Sequence, residues 1–390
     1  MKIASELSAS ASPSNTRSLP NPKREWLALL VITVAIVCGS VVATAATSGA
    51  ISGQRVAEPA NPLKVLGNAA CVKCHASEQA VWAATPHART FDELHRRPEA
   101  SQIASKLGLD SIKHGQRCVA CHYTQQPADA GTTGDAVTLT SLPGRAGHPL
   151  EFHVVAGVSC ESCHGAARDW LDAHHDYGSP DVTRATESAV HRSARIARSV
   201  ELGMRDPHNV YLVAQSCYRC HTTGDEELVN VGGHPAGSLD FEFVSWNQGT
   251  IHHNFVQTDG KQNVASTPHR LRFMFLAGVI ADTEAAFRAV ATATVKENYA
   301  LTVAKRAARA GARLKSVADK VSDPRLTEAV AIFDSVQIKL NNAKQLEIAA
   351  DKLAVIGYGL AEAETKVDER QLHEKLIALD RFIPDRKSWK

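Results

Sequence analysis

Four short motifs of the form Cys-x-x-Cys-His carry the most specific chemistry in this chain. They read CVKCH at residues 71–75, CVACH at 118–122, CESCH at 160–164 and CYRCH at 217–221, and we number them motifs 1 to 4. This pattern is the attachment signature of a c-type haem. The two cysteines form thioethers with the haem vinyl groups, and the histidine becomes the proximal ligand of the iron. The sequence therefore predicts four covalently bound haem c groups.

The predicted site residues follow directly from these motifs. The predicted thioether residues are Cys71, Cys74, Cys118, Cys121, Cys160, Cys163, Cys217 and Cys220, and the predicted proximal iron ligands are His75, His122, His164 and His221. Zinc and disulfides are the alternatives for paired cysteines. Neither of them requires a histidine directly after each pair, so haem attachment is the better interpretation.

The second axial ligand of each iron is predicted to be histidine. The chain has eighteen histidines but three methionines, one of which is Met1. Bis-histidine ligation implies low reduction potentials and leaves no open coordination position for a substrate. The predicted distal ligands are His87, His174, His234 and His253, with His153 and His208 in reserve. Two of them stand in doublets, and we favour His174 over His175 and His253 over His252.

The N-terminus reads as an anchor that follows a polar tail. Residues 1–25 are predicted to be cytoplasmic and end near the basic pair Lys23 and Arg24. Residues 26–46 carry no charge and are long enough to span a bilayer as a helix. We expect a single-pass protein of the bacterial inner membrane, with its haems in the periplasm. A cleaved signal peptide is the alternative, since Ala43-Thr44-Ala45 resembles a cleavage site.

The remaining chain divides by composition. Residues 47–66 are predicted to be a tether, 67–280 a tetrahaem domain and 281–390 a C-terminal helical region. We expect a mainly α fold with much irregular structure: a multihaem region wrapped around its haems, then a helical hairpin or bundle. The haem region has few apolar periodic segments, so the porphyrins should supply much of its core.

Several local signals predict where structure begins and ends. Asp282 is expected to cap a helix that runs through Ala307, and Asp323-Pro324 to start another. Gly357 and Gly359 are expected to break that second helix, and a last helix is expected over residues 366–379. Residues 125–148 read as a loop with a short strand at 136–142.

The haem region resembles a known family. The segment GVSCESCHGAARDWLDAH, preceded by CVKCHASEQAVWAATPHART and a second motif, is similar to the cytochrome c-554 family of periplasmic multihaem cytochromes. The resemblance covers residues 71 to about 255. It implies closely spaced, stacked haem pairs and electron transfer, linked in some members to nitrogen oxidation. In the best-known type one haem lacks a distal ligand, whereas this chain has enough histidine for all four.

Two functions follow from these observations. We expect a non-enzymatic electron carrier between the quinone-linked membrane chain and a periplasmic redox partner. The alternative is a multihaem reductase of a small nitrogen or sulfur species, which would need a five-coordinate haem. The nearly balanced charge, 43 basic against 41 acidic residues, does not indicate a nucleic-acid partner.

Overall fold

Short helices separated by turns make up the part of the chain that carries motifs 1 to 3. The computed structural model describes residues 57–128, 151–364 and 370–390. The predicted tail, the anchor, the first half of the tether and the strand at 136–142 lie outside the described residues. The helices of this first part are α1 (Asn68–Val72), α2 (Ala76–Ala83), α3 (Pro86–Glu93), α4 (Pro98–Lys106), α5 (Gln116–His122) and α6 (Cys160–His164).

A two-stranded antiparallel sheet connects motif 2 to motif 3. Strand β1 (Thr124–Pro127) pairs with β2 (Phe152–Ala156), and Gln125 lies opposite Val154. The predicted loop is therefore wrong at its first residues, which belong to β1. The strand depends on a partner far along the chain, and no local pattern in β1 reveals that partner.

The second half is a helical bundle. Helix α7 (Ala189–Glu201) precedes the bundle and packs through Val200 on the small cluster of Ala167, Trp170 and Met204. The bundle helices are α8 (Val210–His221), α9 (Glu226–Asn230), α10 (Phe243–Asn247), α11 (Pro268–Ala291), α12 (Asn298–Ala318), α13 (Pro324–Asp334), α14 (Ala343–Glu364) and α15 (Arg370–Leu376). Helix α11 is the centre, since nearly all its residues from Phe273 onward are buried. It packs on α8, α12 and α14. The large apolar core runs from Val210 to Leu379 and includes Tyr218 of motif 4.

The part before residue 210 has much less apolar core. One small cluster surrounds Cys118 and Val119, and a second joins Ala167, Trp170 and Met204. Motif 4 differs from the others because it ends α8, a helix of the main bundle. The predicted division between residues 280 and 281 falls inside α11.

The prediction that Asp282 caps a helix is wrong. Helix α11 begins at Pro268, and the Thr267 side chain caps it by accepting a hydrogen bond from the Arg270 N–H. Asp282 lies in the middle of the helix and is buried, where its carboxylate accepts a hydrogen bond from Arg306 Nε at 2.7 Å. Aspartate is common at helix starts, but here a buried arginine partner on α12 decides its position.

The second helix start is confirmed, and the predicted break is wrong. Asp323 caps α13 by accepting from the Arg325 N–H, with Pro324 in the first turn. That helix ends at Asp334, and a separate helix, α14, runs unbroken through Gly357 and Gly359. A Cβ at Gly357 would overlap the Tyr211 ring, so this glycine allows α8 and α14 to approach each other.

None of the helices in the described part of the chain is long and apolar enough to cross a membrane. The predicted anchor at residues 26–46 lies outside that part.

Candidate haem sites

The histidine of each attachment motif faces one other histidine ring. The four pairs, with their ring-centroid distances, are His75 and His174 at 6.3 Å, His122 and His234 at 6.1 Å, His164 and His253 at 6.3 Å, and His221 and His87 at 6.2 Å. The four partners are the four histidines that the sequence analysis favours as distal ligands. Each pair joins residues that lie far apart in the chain.

The spacing of these pairs fits one iron ion between the two rings. An imidazole nitrogen binds a metal at about 2.0 Å, and the ring centroid lies roughly 1.1 Å beyond that nitrogen. Two imidazoles on opposite sides of one iron therefore have centroids about 6.2 Å apart. The rings are too far apart for direct hydrogen bonding and too close for an unrelated side chain to lie between them.

Backbone carbonyl groups orient three of the four facing rings. Nδ1 of His253 lies 2.6 Å from the Ile251 carbonyl oxygen, and Nδ1 of His234 lies 2.8 Å from that of Pro235. Nδ1 of His174 hydrogen-bonds the Leu171 carbonyl oxygen. When Nδ1 donates its proton to a carbonyl, Nε2 keeps its lone pair for a metal, as in most metal-binding histidines.

Local sequence explains how two of these histidines are presented. Thr85 caps α3 and Pro86 opens it, which places His87 in the first turn of the helix. His234 follows Gly233, whose φ of 79° is readily accessible to glycine. The backbone N–H of His234 then donates to the Leu228 carbonyl oxygen and closes the turn after α9.

Burial keeps most of these rings neutral. It lowers the pKa of His122, His164 and His221 to about 4. It also lowers the pKa of His87 and His174 below the ordinary histidine value. A neutral imidazole is the form that binds a metal, so these sites are ready for ligation at neutral pH.

The other candidate histidines make different contacts. His252 bonds the Val264 carbonyl oxygen, and His175 bonds that of Leu171. His208 pairs with Asp206, and His153 lies exposed on β2. None of these four faces a motif histidine in the ring contacts of the described residues.

The motifs also contact one another in a defined order. The Cys160 thiol lies within hydrogen-bond distance of Cys71, which joins motifs 3 and 1. The Cys121 thiol lies equally close to Cys220, which joins motifs 2 and 4. Ser216, at the start of motif 4, donates to the Cys163 carbonyl oxygen at 3.3 Å. The order of contact is therefore motif 1, motif 3, motif 4 and motif 2.

Sequence reasoning missed several supporting charged residues. Glu161 and Arg219 occupy variable positions inside motifs 3 and 4. Glu161 accepts from the Gly67 N–H just before motif 1, and Arg219 donates to the Ala120 carbonyl oxygen of motif 2. Arg195 donates to the His174 carbonyl oxygen and is itself held by Glu187 at 2.6 Å. A charged residue inside an attachment motif is visible in the sequence. The distant backbone group that it binds is not.

Comparisons with known proteins find similarity to cytochromes over part of the chain. Residues 70–165 match the family model described as cytochrome c554 and c-prime. Cytochrome c-554 of Nitrosomonas europaea is 29% identical over 147 residues, which are 37% of this chain and 54% of that protein. The C-type polyheme cytochrome OmcB of Geobacter sulfurreducens is 28% identical over 125 residues, which are 30% of this chain and 15% of that protein. No match to a solved structure was found.

The chain thus spans about half the length of the first relative and a small part of the second. The model match covers motifs 1 to 3 and the small apolar cluster around Cys118, and it ends before motif 4 and the helical bundle. Residues 70–165 are thus similar to the cytochrome c554 and c-prime family, and this similarity agrees with attachment of haem c at motifs 1 to 3.

Proposed function

We propose that this chain is a membrane-anchored tetrahaem cytochrome that relays electrons between the quinone-linked membrane chain and a periplasmic redox partner. The observation that carries the proposal is the set of four histidine ring pairs, each spaced for one iron. Two imidazoles on every iron suit electron transfer and leave no position for a substrate.

The residues fit four haems in a definite pairing. Cysteines of each motif hold the porphyrin, and the histidine of that motif binds the iron from one side. The distal residues would be His174 for motif 1, His234 for motif 2, His253 for motif 3 and His87 for motif 4. When bound, each haem supplies a one-electron Fe(III)/Fe(II) couple, and no proton or covalent bond needs to move.

The contacts between motifs support a single row of haems. Motifs 1 and 3 meet at their cysteines, motifs 3 and 4 meet through Ser216, and motifs 4 and 2 meet at their cysteines. The rate of electron tunnelling falls steeply with distance. Transfer between neighbouring attachment sites, in the order motif 1, motif 3, motif 4 and motif 2, is therefore favoured.

A catalytic reductase is the weaker candidate. Such an enzyme needs an iron with one open position and an acid, a base or a cation above it. In the described residues every motif histidine has a facing histidine at iron-spanning distance. This favours transport of electrons over chemistry on a bound substrate.

The carrier proposal is tested by the reactivity of the reduced holoprotein. We expect ferricyanide to reoxidise it, because that reaction needs no coordination to the iron. Nitrite and hydroxylamine should not reoxidise it, and carbon monoxide should not change its visible spectrum. Binding of carbon monoxide at one haem per chain, together with oxidation by nitrite, would favour the reductase instead.

The crossed pairing of ligands has its own test. His87→Ala should produce one high-spin haem, and that haem should be the one attached at Cys217 and Cys220. Adding Cys217→Ala and Cys220→Ala should then remove both that haem and the high-spin signal. If removing motif 1 instead abolishes the signal, the proposed partner of His87 is wrong.

The anchor is tested by fractionation. We expect the protein in the inner membrane with its haems outside the cytoplasm. Complete recovery in the soluble periplasm, with a new N-terminus near Ala46, would establish cleavage of the leader.

A further inference from the structure

A buried carboxylate joins motif 3 to motif 1. Glu161, the residue after Cys160, is 1% exposed. Its Oε1 accepts from the Leu66 N–H at 2.9 Å and the Ala167 N–H at 2.8 Å, and its Oε2 accepts from the Gly67 N–H at 2.8 Å. Gly67 is the residue from which α1 starts, and α1 carries Cys71. Glu161 therefore ties motif 3 to the backbone directly before α1, the helix that carries Cys71.

Three backbone N–H groups surround the Glu161 carboxyl group. Burial raises the pKa of Glu161, while the three backbone N–H donors act in the opposite direction. Both oxygens accept hydrogen bonds, as a carboxylate does. Among the described residues no lysine or arginine forms an ion pair with Glu161. Its negative charge is thus held by N–H dipoles and is not neutralised by a cation.

Two arginines lie in or beside motif 4. Arg219 lies inside that motif, and its Nη1 donates to the Ala120 carbonyl oxygen of motif 2 at 2.6 Å. The backbone N–H of Arg205 donates to the His164 carbonyl oxygen of motif 3 at 2.8 Å. The Arg205 Nη2 donates to Gln215 on α8 at 2.7 Å. Arg205 and Arg219 therefore lie at the junctions of motif 4 with motifs 3 and 2.

The two arginines add positive charge to this end of the row. In the described part of the chain neither forms an ion pair with a carboxylate. The nearby carboxylate of Glu284 pairs with Arg288 at 2.8 Å and accepts from Tyr211 and Gln215. Burial lowers the pKa of Arg205 to about 10, with the neighbouring Arg219 as the second cause. At neutral pH the Arg205 guanidinium group therefore remains charged.

We propose that Glu161 on one side, and Arg205 and Arg219 on the other, set the order of the haem potentials along the row. This inference rests on the proposed tetrahaem function. A fixed negative charge in a low-dielectric interior stabilises Fe(III), and a fixed positive charge stabilises Fe(II). Glu161 lowers the potential at motif 1, and the arginines raise those at motifs 4 and 2. Motif 3 contains Glu161 and also contacts Arg205 at His164, so its potential lies between those of the two ends. With haem bound at all four motifs, this order of potentials would direct electrons from the motif 1 end to the motif 2 end.

The experiment is a redox titration of the holoprotein, followed in the visible spectrum. Glu161→Gln keeps the shape of the side chain but removes its charge, so the lowest reduction potentials in the titration curve should rise. Arg219→Gln should lower the highest reduction potentials in the curve. Each change should alter the equilibrium constant between the ends at least tenfold, which is about 59 mV for one electron. Exposed Glu328→Gln and Arg192→Gln are the charge-matched controls and should leave the curve unchanged.

Conservative variants separate charge from structure. Arg219→Lys retains the positive charge and should keep the wild-type curve, and Arg205→Gln should act like Arg219→Gln. The inference is overturned if Glu161→Gln leaves the low-potential end in place or shifts it downward, or if Arg219→Lys shifts the curve as much as Arg219→Gln. Haem content and spin state of the wild type are measured first. Failure there contradicts the tetrahaem function, whereas an unchanged titration contradicts this inference alone.

Discussion

The two histidine doublets show what decides ligand choice at the scale of single residues. In each doublet one ring faces a motif histidine, while the other bonds a backbone carbonyl group and faces none. The sequence supplies both candidates and favours His174 and His253. It does not supply their partners, since each pair connects distant segments. Ligation by these residues stays a prediction, and the ring spacing is its physical support.

His253 can be tested against its neighbour. His253→Ala should open one iron, because the ring facing His164 is lost. About a quarter of the iron should become high spin, and the reduced protein should then bind carbon monoxide. His252→Ala is the matched control and should leave all haems low spin. A high-spin signal in the His252 variant, with none in the His253 variant, would reverse the assignment.

At the scale of elements, sequence signals succeeded where the deciding contacts are local. Asp323 and Pro324 start α13 through a cap made within one turn. The predictions for Asp282 and Gly357 were wrong because distant residues decide the role of each. Arg306 binds the Asp282 carboxylate, and the Tyr211 ring packs against Gly357. Helix α8 could not be assigned to the bundle from sequence, since its haem motif suggested the other region.

The glycines of α14 give a direct stability test. Gly357→Ala would place a methyl group against the Tyr211 ring and should lower the free energy of unfolding by about 1–3 kcal/mol. Gly359→Ala has open space and should raise it by roughly 0.5–1 kcal/mol through helix propensity. Urea denaturation followed by circular dichroism measures both. Equal effects of the two substitutions would contradict the close packing of α8 on α14.

The ion pairs of Glu187 around α7 lead us to expect that the haem ligated by His174 is sensitive to acid. Arg195 and His191 lower the pKa of Glu187 to about 2, with Arg195 the larger cause. A carboxyl whose pKa is depressed by folding contributes stability above its unfolded value near 4.5, and this stability is lost as the pH falls towards 2. Arg195 also holds the His174 carbonyl group, so protonation of Glu187 should loosen that ligand.

The visible spectrum during acid titration measures this effect. Wild type should show one haem changing spin state as the pH falls from about 4.5 to 2, and Glu187→Gln should show the change at higher pH. Glu201→Gln, an exposed site at the end of α7, is the control. Identical titrations of wild type and the Glu187 variant would refute the role of this ion pair.

The whole molecule combines two kinds of core. Before residue 210 the apolar clusters are small, and the sequence already predicted that haem must fill this part. After residue 210 a large apolar core connects α8 with the C-terminal helices. The composition predicted the helical character of the second part. It did not predict that motif 4 is built into that core.

Removal of haem should therefore affect the two parts differently. Cys160→Ala with Cys163→Ala should make residues 57–205 sensitive to protease, because a central haem is lost. Helices α8 and α11 to α14 should stay protected, since they bury their apolar faces against each other. Limited proteolysis with mass spectrometry identifies the cleavage sites. Protection of the first part without its haem would show that the apolar clusters suffice.

The central claim is that two histidines bind every iron, and electron paramagnetic resonance of the oxidised holoprotein tests it most directly. The ring pairs predict four low-spin haems per chain and no high-spin signal. Integration against the haem content by pyridine haemochrome gives the fraction of each spin state. A high-spin signal from one haem in four would contradict the account, because one facing histidine would then not be a ligand.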